Sequence, residues 1–259
     1  MTFSYIRDGF CVLENTIPIH VCKQLGADLL LWKQHANIHP NQYGILAHNL
    51  FAQRPLFRGL LQQFALQKIA EKIYGGPLLF FQDNLIWKPP NTTTTISWHQ
   101  DYSYWPLSAP KGITMWIALD DITIENGCMY MGIGTHRQGE CIPNDFVENK
   151  PAQWAQKLPS LHINEEMIHP FALTQGRISV HHPLCAHTSG ENRTQTHRRA
   201  WSITFVDPKI RWAPKHAPHP YNFSFGIEEG ESIENLPHHL SKWNHERYNT
   251  LGTPHKEQL

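Results

Sequence analysis

Hydrophobic and polar positions along the chain follow two different periods. In Ile17–His35 and again in Pro55–Tyr74, apolar residues recur every three or four positions, which predicts two amphipathic helices. Pro18 is tolerated in a first helical turn, and Gly75-Gly76 is a typical helix end. From residue 78 onward the pattern changes to short strand-like runs separated by Gly, Pro and Asn, which indicates β-strands.

Seven short runs make up the strand-like region. They are Leu78–Trp87, Thr93–Asp101, Ile113–Leu119, Cys128–Ile133, Met167–Leu173, Arg177–His182 and Arg199–Val206. Short strands without intervening helices favour an antiparallel barrel or jelly roll over an α/β sheet. We therefore predict one mainly β domain with flanking helices: a helical N-terminal part over residues 1–77, the β region over 78–206, and a C-terminal extension over 207–259.

A polar stretch at residues 144–161 interrupts the strand-like runs. Its sequence, NDFVENKPAQWAQKLPSL, allows a short helix and indicates an insertion over one mouth of the predicted barrel. A lid and an ordinary surface loop both fit this pattern. After Pro208 the chain becomes rich in His and Pro and then polar, so the segment beyond the last strand is predicted to be an extension.

Charge and cysteine content narrow the class of partner. Lys+Arg and Asp+Glu both number 22, so the basic excess expected for binding nucleic acid or an anionic membrane is missing. A small-molecule substrate is the simpler expectation, for a monomer or a homodimer. The sequence shows no signal-peptide pattern and no run of about 18 apolar residues. Five scattered cysteines without a CxxC pair fit a reducing cytoplasm.

The sequence contains 18 histidines, so a metal site must be found from spacing and not from number. In a strand, positions i and i+2 face the same side, so His99 and Asp101 present an imidazole and a carboxylate together. A histidine from a distant strand would complete a two-histidine, one-carboxylate site, which leaves three open positions on iron(II). His187 is the candidate, because the arginines Arg198 and Arg199 begin eleven positions later.

An arginine near the second histidine suits 2-oxoglutarate, because a planar guanidinium binds a carboxylate through two charge-assisted hydrogen bonds. Adjacent residues of a strand face opposite sides, so only one of Arg198 and Arg199 can point inward.

The metal-ligand candidates lie in the first and the last of three longer segments, which are WHQDYSYWP, MWIALDDITIENGCMYMGIGTHRQG and HHPLCAHTSGENRTQTHRRA. These segments occur in the order found in the phytanoyl-CoA dioxygenase family, which the chain resembles over roughly residues 78–206. The resemblance implies a double-stranded β-helix of the cupin type that uses iron(II), 2-oxoglutarate and O2. It implies metal ligands at His99, Asp101 and His187, and a 2-oxoglutarate arginine at Arg198. It also implies Ser189, Trp116 and Lys88 in the 2-oxoglutarate pocket.

The same resemblance places the substrate pocket at Tyr102, Tyr104 and Trp105, for which ordinary core packing is the alternative. Two departures from the family pattern lie away from the ligands. Gly176-Arg177 stands where the family usually has Gly-Asp, and Ile133-Gly134-Thr135-His136 stands where it often has Pro-Gly-Ser-His. For His181 and His182, packing or a hydrogen bond near the site is expected, and for Cys185 a small buried thiol.

The expected activity is hydroxylation of a substrate C–H bond, with succinate and CO2 as co-products. Desaturation, epimerisation or cyclisation at the same centre remain open. Halogenation is disfavoured, because it needs the carboxylate position vacated and Asp101 occupies it. A non-catalytic cupin-like binding protein is the alternative of a different class, since fold alone does not determine function.

Overall fold

Two antiparallel sheets of unequal size pack face to face in the computed structural model, which describes residues 3–35, 44–141, 161–214 and 227–235. The large sheet has the strand order β1 (Phe10–Thr16), β8 (Arg177–His181), β5 (Gly112–Ala118), β10 (Arg198–Val206), β3 (Leu79–Lys88) and β2 (Ile45–His48). The small sheet has the order β4 (Ile96–His99), β9 (His187–Ser189), β6 (Met129–Gly132) and β7 (Ile168–Phe171). The mainly β jelly-roll prediction is confirmed.

Helices cover the outer face of the large sheet. They are α1 (Tyr5–Asp8), α2 (Ile19–His35), α3 (Leu50–Gln53), α4 (Pro55–Gln63) and α5 (Leu66–Tyr74). Apolar residues of α2, α4 and α5, such as Leu25, Phe57 and Leu66, share one core with the outward side chains of β5, β8 and β10. Within the described ranges, the helices fall short of the length and apolar content required to span a bilayer.

The N-terminal part is not purely helical, which corrects the prediction for residues 1–77. β1 and β2 form the two edges of the large sheet, where they pair with β8 and β3. Both strands lie outside any long alternating run, and their partners are distant in the chain. The predicted helix Pro55–Tyr74 is two helices, because Ala65 adopts a left-handed conformation with φ 48° between them.

Gly176-Arg177, one of the two departures from the family pattern, lies at the start of β8. Gly176 has φ +85°, and a Cβ there would lie 2.1 Å from the Ile17 carbonyl oxygen, so only glycine fits this close approach. The guanidinium of Arg177 donates to the Leu13 carbonyl over 3.2 Å. These two residues fix β1 against β8.

The space between the sheets contains two apolar clusters. One includes Trp116 of β5 and Met131 of β6, and the other includes Tyr102, Trp105 and Trp212. The second cluster also contains Ile210, Ile227 and Ile233, so the described part of the C-terminal extension packs more closely than its polar sequence indicates. The predicted lid at residues 144–161 falls almost wholly outside the described residues.

Asp83 of β3 is a fully buried carboxyl group beneath the helices. Its Oδ2 accepts hydrogen bonds from the backbone N–H of Phe51 over 3.0 Å and from Nε1 of Trp201 over 2.7 Å. Asp83 therefore connects α3 to β3 and β10. Burial raises the pKa of this carboxyl from 3.8 to about 7, because the charged form loses its hydration.

We expect Asp83→Asn to gain stability relative to the wild type as the pH rises. The folded pKa of Asp83 exceeds the unfolded one, so its stabilising contribution is fully present below about pH 4 and is lost as the pH rises through about 7. The loss amounts to at most about 1.4 kcal/mol per pH unit. Urea unfolding of both proteins from pH 5 to pH 8 measures the difference. Parallel stability curves would show that Asp83 does not titrate in this range.

Candidate metal centre

His99, Asp101 and His187 converge between the two sheets, as the sequence predicts. One ligand atom from each residue lies within 4.8 Å of the other two. Asp101 Oδ1 lies 3.9 Å from His99 Nε2 and 3.6 Å from His187 Nε2. Ligands at about 2.1 Å from one metal ion stand about 3 Å apart when they are neighbours, so a small adjustment brings all three atoms to bonding distance.

Strand pairing brings the two histidines together. His99 on β4 and His187 on β9 are directly opposite in the antiparallel register, and their ring centroids are 4.1 Å apart. The predicted strand Thr93–Asp101 is too long, because β4 ends at His99 and Asp101 begins a short 3-10 helix. Gln100 keeps an extended conformation (φ −111°, ψ 135°), so Asp101 still returns to the side of His99.

Backbone carbonyl groups orient both imidazole rings. Nδ1 of His99 lies 2.8 Å from the Ser97 oxygen, and Nδ1 of His187 lies 3.0 Å from the Cys185 oxygen. Each Nδ1–H therefore donates to a carbonyl, which leaves the Nε2 lone pair directed at the centre. Burial lowers the pKa of His99 and lowers that of His187 to about 3, so both rings are neutral near pH 7.

The second oxygen of Asp101 is held by the large sheet. Oδ2 accepts a hydrogen bond from Nε2 of His181 over 2.9 Å and another from Oγ1 of Thr114 over 2.7 Å. Burial acts to raise the pKa of Asp101, but the neighbouring histidines, first of all His181, lower it overall. Two neutral imidazoles and one carboxylate form the donor set typical of non-haem iron(II) sites.

Residues that sequence reasoning did not single out support the ligands. Gln100 is buried, and its Nε2 donates to the carbonyl oxygens of Gly139 and Leu184, each over 2.9 Å. Its Oε1 accepts from the Cys141 backbone N–H over 2.8 Å. Gln100 thus connects the turn between the first two ligands to the segment before His187. The sequence signal for Gln100 was its position between two predicted metal ligands. Its hydrogen-bond partners could not be predicted from the sequence.

Thr135, in the second departure from the family pattern, also supports the segment before His187. Its hydroxyl donates to the Gly132 carbonyl over 2.8 Å and accepts from the Ala186 N–H over 2.9 Å. Cys185 is buried with its thiol 3.6 Å from the Gly132 oxygen, and burial raises its pKa to about 12. The expectation of a small buried thiol is confirmed.

Two buried basic side chains lie side by side near the centre. Arg198 on β10 pairs directly with Lys88 on β3, and their exposed fractions are 1% and 0%. The Arg198 guanidinium lies 4.9 Å from the centre of the Trp116 ring. Its Nε and Nη1 are buried and have no hydrogen-bond partner within the described parts of the chain. Lys88 Nζ donates to Ser189 Oγ over 2.8 Å.

This arrangement favours an anionic ligand. Burial, and then the charge of Arg198, lowers the pKa of Lys88 to about 6, and burial lowers the pKa of Arg198 to about 10. Among the residues with described positions, no carboxylate forms an ion pair with either basic group. Lys88 Nζ also donates to the carbonyl oxygens of Thr94 and Gly190, so the missing acceptors are those of Arg198. A carboxylate ligand would supply these acceptors and the missing negative charge.

Arg199 lies on the opposite face of β10, as strand alternation predicts. It donates to both carboxylate oxygens of Asp120, over 2.8 and 2.6 Å, and to the Gly26 carbonyl over 2.7 Å. Its side chain is only 11% exposed, so this outward arginine is largely covered by its partners. Arg199 connects α2 to the end of β5.

Tyr102 and Trp105 lie in an apolar core cluster, which agrees with core packing, the alternative to their expected substrate-binding role. Both are buried, and the Tyr102 hydroxyl donates to the Leu107 carbonyl over 2.9 Å. The turn after Asp101 directs them into the cluster around Trp212. The half-buried Tyr104 lies beside the ligands instead, with its ring centroid 5.8 Å from that of His99.

Sequence comparisons agree with this geometry. The model of the family described as "Phytanoyl-CoA dioxygenase (PhyH)" matches residues 5–200. Human "Phytanoyl-CoA dioxygenase, peroxisomal" is 31% identical over 145 residues, which cover 54% of this chain and 42% of that protein. "L-proline trans-4-hydroxylase" of Streptomyces griseoviridis is 26% identical over 174 residues, 60% of this chain and 64% of that protein. The chain spans about half the length of the curated relatives it matches.

Solved structures share the fold. The non-haem alpha-ketoglutarate-dependent carbocyclase SnoK from nogalamycin biosynthesis superimposes with a TM-score of 0.72 at 18% identity, covering 88% of this chain and 90% of that one. The epimerase SnoN in complex with Fe3+, alpha ketoglutarate and nogalamycin RO gives a TM-score of 0.68 at 20% identity, covering 88% and 92%.

We expect Asp101→Ala to weaken the binding of Co2+, used as an air-stable probe, by about 100-fold or more, because the variant loses one of three protein ligands. Isothermal titration calorimetry of the metal-free proteins measures the dissociation constants. Asp121→Ala is the matched control, since Asp121 is exposed and accepts a hydrogen bond from Gln175 N–H over 2.7 Å. Equal loss in both variants, or none in Asp101→Ala, would remove Asp101 from the metal site.

Proposed function

Because this chain belongs to the phytanoyl-CoA dioxygenase family, we propose that it is an iron(II)- and 2-oxoglutarate-dependent dioxygenase that hydroxylates a C–H bond of a small molecule. The observation that carries the proposal is the combination of two features at one place. A three-ligand centre and an arginine with unpartnered buried nitrogens lie in the same space between the sheets. Either feature alone would suit several kinds of binding site, whereas together they match one cofactor and one co-substrate.

His99, Asp101 and His187 would hold the iron, and their neutral rings and single charge suit a divalent ion. Bound iron would supply the oxidising chemistry, in which O2 and the decarboxylation of 2-oxoglutarate to succinate and CO2 drive oxidation of the substrate. The protein's own contribution is position and exclusion of water. Apolar clusters pack near the centre and would limit the access of water to it.

Arg198 would bind the distal carboxylate of 2-oxoglutarate through the nitrogens that lack partners. Trp116 lies against the guanidinium and limits its orientation. Ser189 follows His187 by two residues on β9, so its hydroxyl faces the same side as the metal ligand. Lys88 donates to that hydroxyl, and a bound carboxylate would favour its charged form. Ser189 contacts Lys88, Lys88 pairs with Arg198, and Arg198 lies against Trp116, so the four residues would together bind 2-oxoglutarate beside the metal.

Reactions other than hydroxylation at the same centre are the alternative proposals. SnoK and SnoN are described as a carbocyclase and an epimerase, so cyclisation and epimerisation, like desaturation, are compatible with this fold. A non-catalytic binding protein would not need three convergent ligands with oriented rings beside an unneutralised arginine. We further infer that the substrate is a small molecule, because basic and acidic residues are balanced. We also infer a reducing cytoplasmic setting, because the five cysteines are free.

The direct test is co-product formation. With Fe(II), ascorbate, 2-oxoglutarate and O2, we expect the protein to form succinate and CO2 in equal amounts, slowly without substrate and faster with a true one. Asp101→Ala is expected to form none while remaining folded by circular dichroism, and Asp121→Ala is expected to match the wild type. A wild type that binds metal and 2-oxoglutarate but never forms succinate would favour the binding-protein alternative.

Arg198→Lys is expected to raise the apparent Michaelis constant for 2-oxoglutarate by about tenfold or more, which corresponds to roughly 1.4 kcal/mol. Lysine keeps the charge but loses the two-pronged geometry. The constant is measured from initial rates of succinate formation at varied 2-oxoglutarate. Arg199→Lys is the matched control, because it makes the same change one residue along the strand on the opposite face. A larger effect at position 199 would contradict the assignment.

A further inference from the structure

We propose that His181, assisted by Thr114, is a positioning residue that makes Asp101 a single-oxygen ligand, an inference that rests on the proposed iron site. The two oxygens of Asp101 have different surroundings. Oδ1 faces Nε2 of His99 and of His187, at 3.9 and 3.6 Å. Oδ2 faces away from them and receives the hydrogen bonds of His181 and Thr114, at 2.9 and 2.7 Å.

The two donors form one unit of the large sheet. Thr114 on β5 and His181 on β8 are directly opposite in the antiparallel register. Opposite residues of paired strands place their side chains on the same face, about 5 Å apart. Both side chains are buried, which limits the access of water to their contacts with Asp101. The sheet therefore presents two fixed donors to one carboxylate oxygen.

The hydrogen-bond pattern identifies the tautomer of His181. Its Nδ1 is buried and finds no partner in the part of the chain that is described. A proton on Nδ1 would have no acceptor there, so the proton belongs on Nε2, where Asp101 accepts it. His181 thus acts toward Asp101 as a donor, and it is not placed to offer that nitrogen as a further metal ligand.

Two donors on one oxygen determine how the carboxylate can bind a metal. A carboxylate oxygen has about two lone-pair sites, and His181 and Thr114 use both of those on Oδ2. Binding a metal through both oxygens would require one of these hydrogen bonds to break. Asp101 is therefore restricted to Oδ1, which preserves the three coordination positions that a co-substrate and oxygen need.

The contact also crosses from one sheet to the other. Both histidine ligands belong to the small sheet, and Asp101 follows its strand β4. His181 and Thr114 belong to the large sheet. Without His181, the carboxylate would keep only one connection to the large sheet and would be free to rotate, so the metal would bind a less ordered ligand set. Outer-shell partners of this kind contribute substantially to metal affinity.

His181→Phe and His181→Gln separate hydrogen bonding from packing. Phenylalanine keeps a ring of similar size but has no donor, whereas the side-chain amide of glutamine supplies a donor near the position of Nε2. We expect His181→Phe to weaken Co2+ binding by about 10–100-fold, and His181→Gln to stay within about threefold of the wild type. Calorimetry on the metal-free proteins, each with all 259 residues, measures both. If packing is the role of His181, phenylalanine is the better replacement and the order reverses, which would overturn the proposal.

Thr114→Val tests the second donor without removing a ring. Valine matches threonine in shape but lacks the hydroxyl that donates to Asp101. We therefore expect Thr114→Val, like His181→Phe, to weaken Co2+ binding. Thr204→Val is the matched control, because Thr204 is buried and lies opposite Thr114 in the β5–β10 register, outside the contacts to Asp101. Unchanged affinity in Thr114→Val, or equal loss in Thr204→Val, would contradict the two-donor arrangement.

The proposal and the proposed function fail in different ways. A wild type whose Co2+ binding does not depend on Asp101 would overturn the iron site itself. Asp101-dependent binding together with wild-type affinity in both His181→Phe and Thr114→Val would leave the iron site intact and reject only the positioning role.

Discussion

The arrangement of the metal centre depends on the groups that surround the Asp101 carboxylate between the two sheets. A charge in an interior of low polarity is costly unless polar partners surround it. Here the small sheet supplies two imidazoles on one side, and the large sheet supplies His181 and Thr114 on the other. The interaction that connects the sheets at this point is therefore also the one that shapes the metal centre.

Strand β10 shows how one element separates a structural role from a binding role. Arg199 on its outer face is neutralised by Asp120 and holds α2 against the sheet. Arg198 on its inner face lies beside Lys88 with two buried nitrogens lacking partners in the described structure. A buried guanidinium beside a second basic group, without an internal anion, incurs an electrostatic cost that a bound carboxylate would offset. The proposed co-substrate thus completes the electrostatics of the interior.

The immediate supports of the ligands come from distant segments. Gln100 donates to the backbone carbonyl groups of Gly139 and Leu184. Thr135 accepts a hydrogen bond from the backbone N–H of Ala186, which directly precedes His187. Ligands fixed in this way keep their orientation when a metal binds or leaves, which is what a preorganised site requires. The same scaffold is compatible with several reactions, because the residues that would select among them lie around the substrate and not among the ligands.

The sequence by itself determined what depends on local periodicity. The spacing of His99 and Asp101, and the opposite facing of Arg198 and Arg199, follow from the two-residue repeat of extended backbone, and both hold in the structure. Only the tertiary structure decided which side chains meet across strands: His181 with Asp101, Lys88 with Ser189, and the edge strands β1 and β2 with the large sheet. The tertiary structure also decided that Tyr102 and Trp105 lie in the apolar core. These contacts join segments far apart in the chain, and no local pattern encodes the register that pairs them.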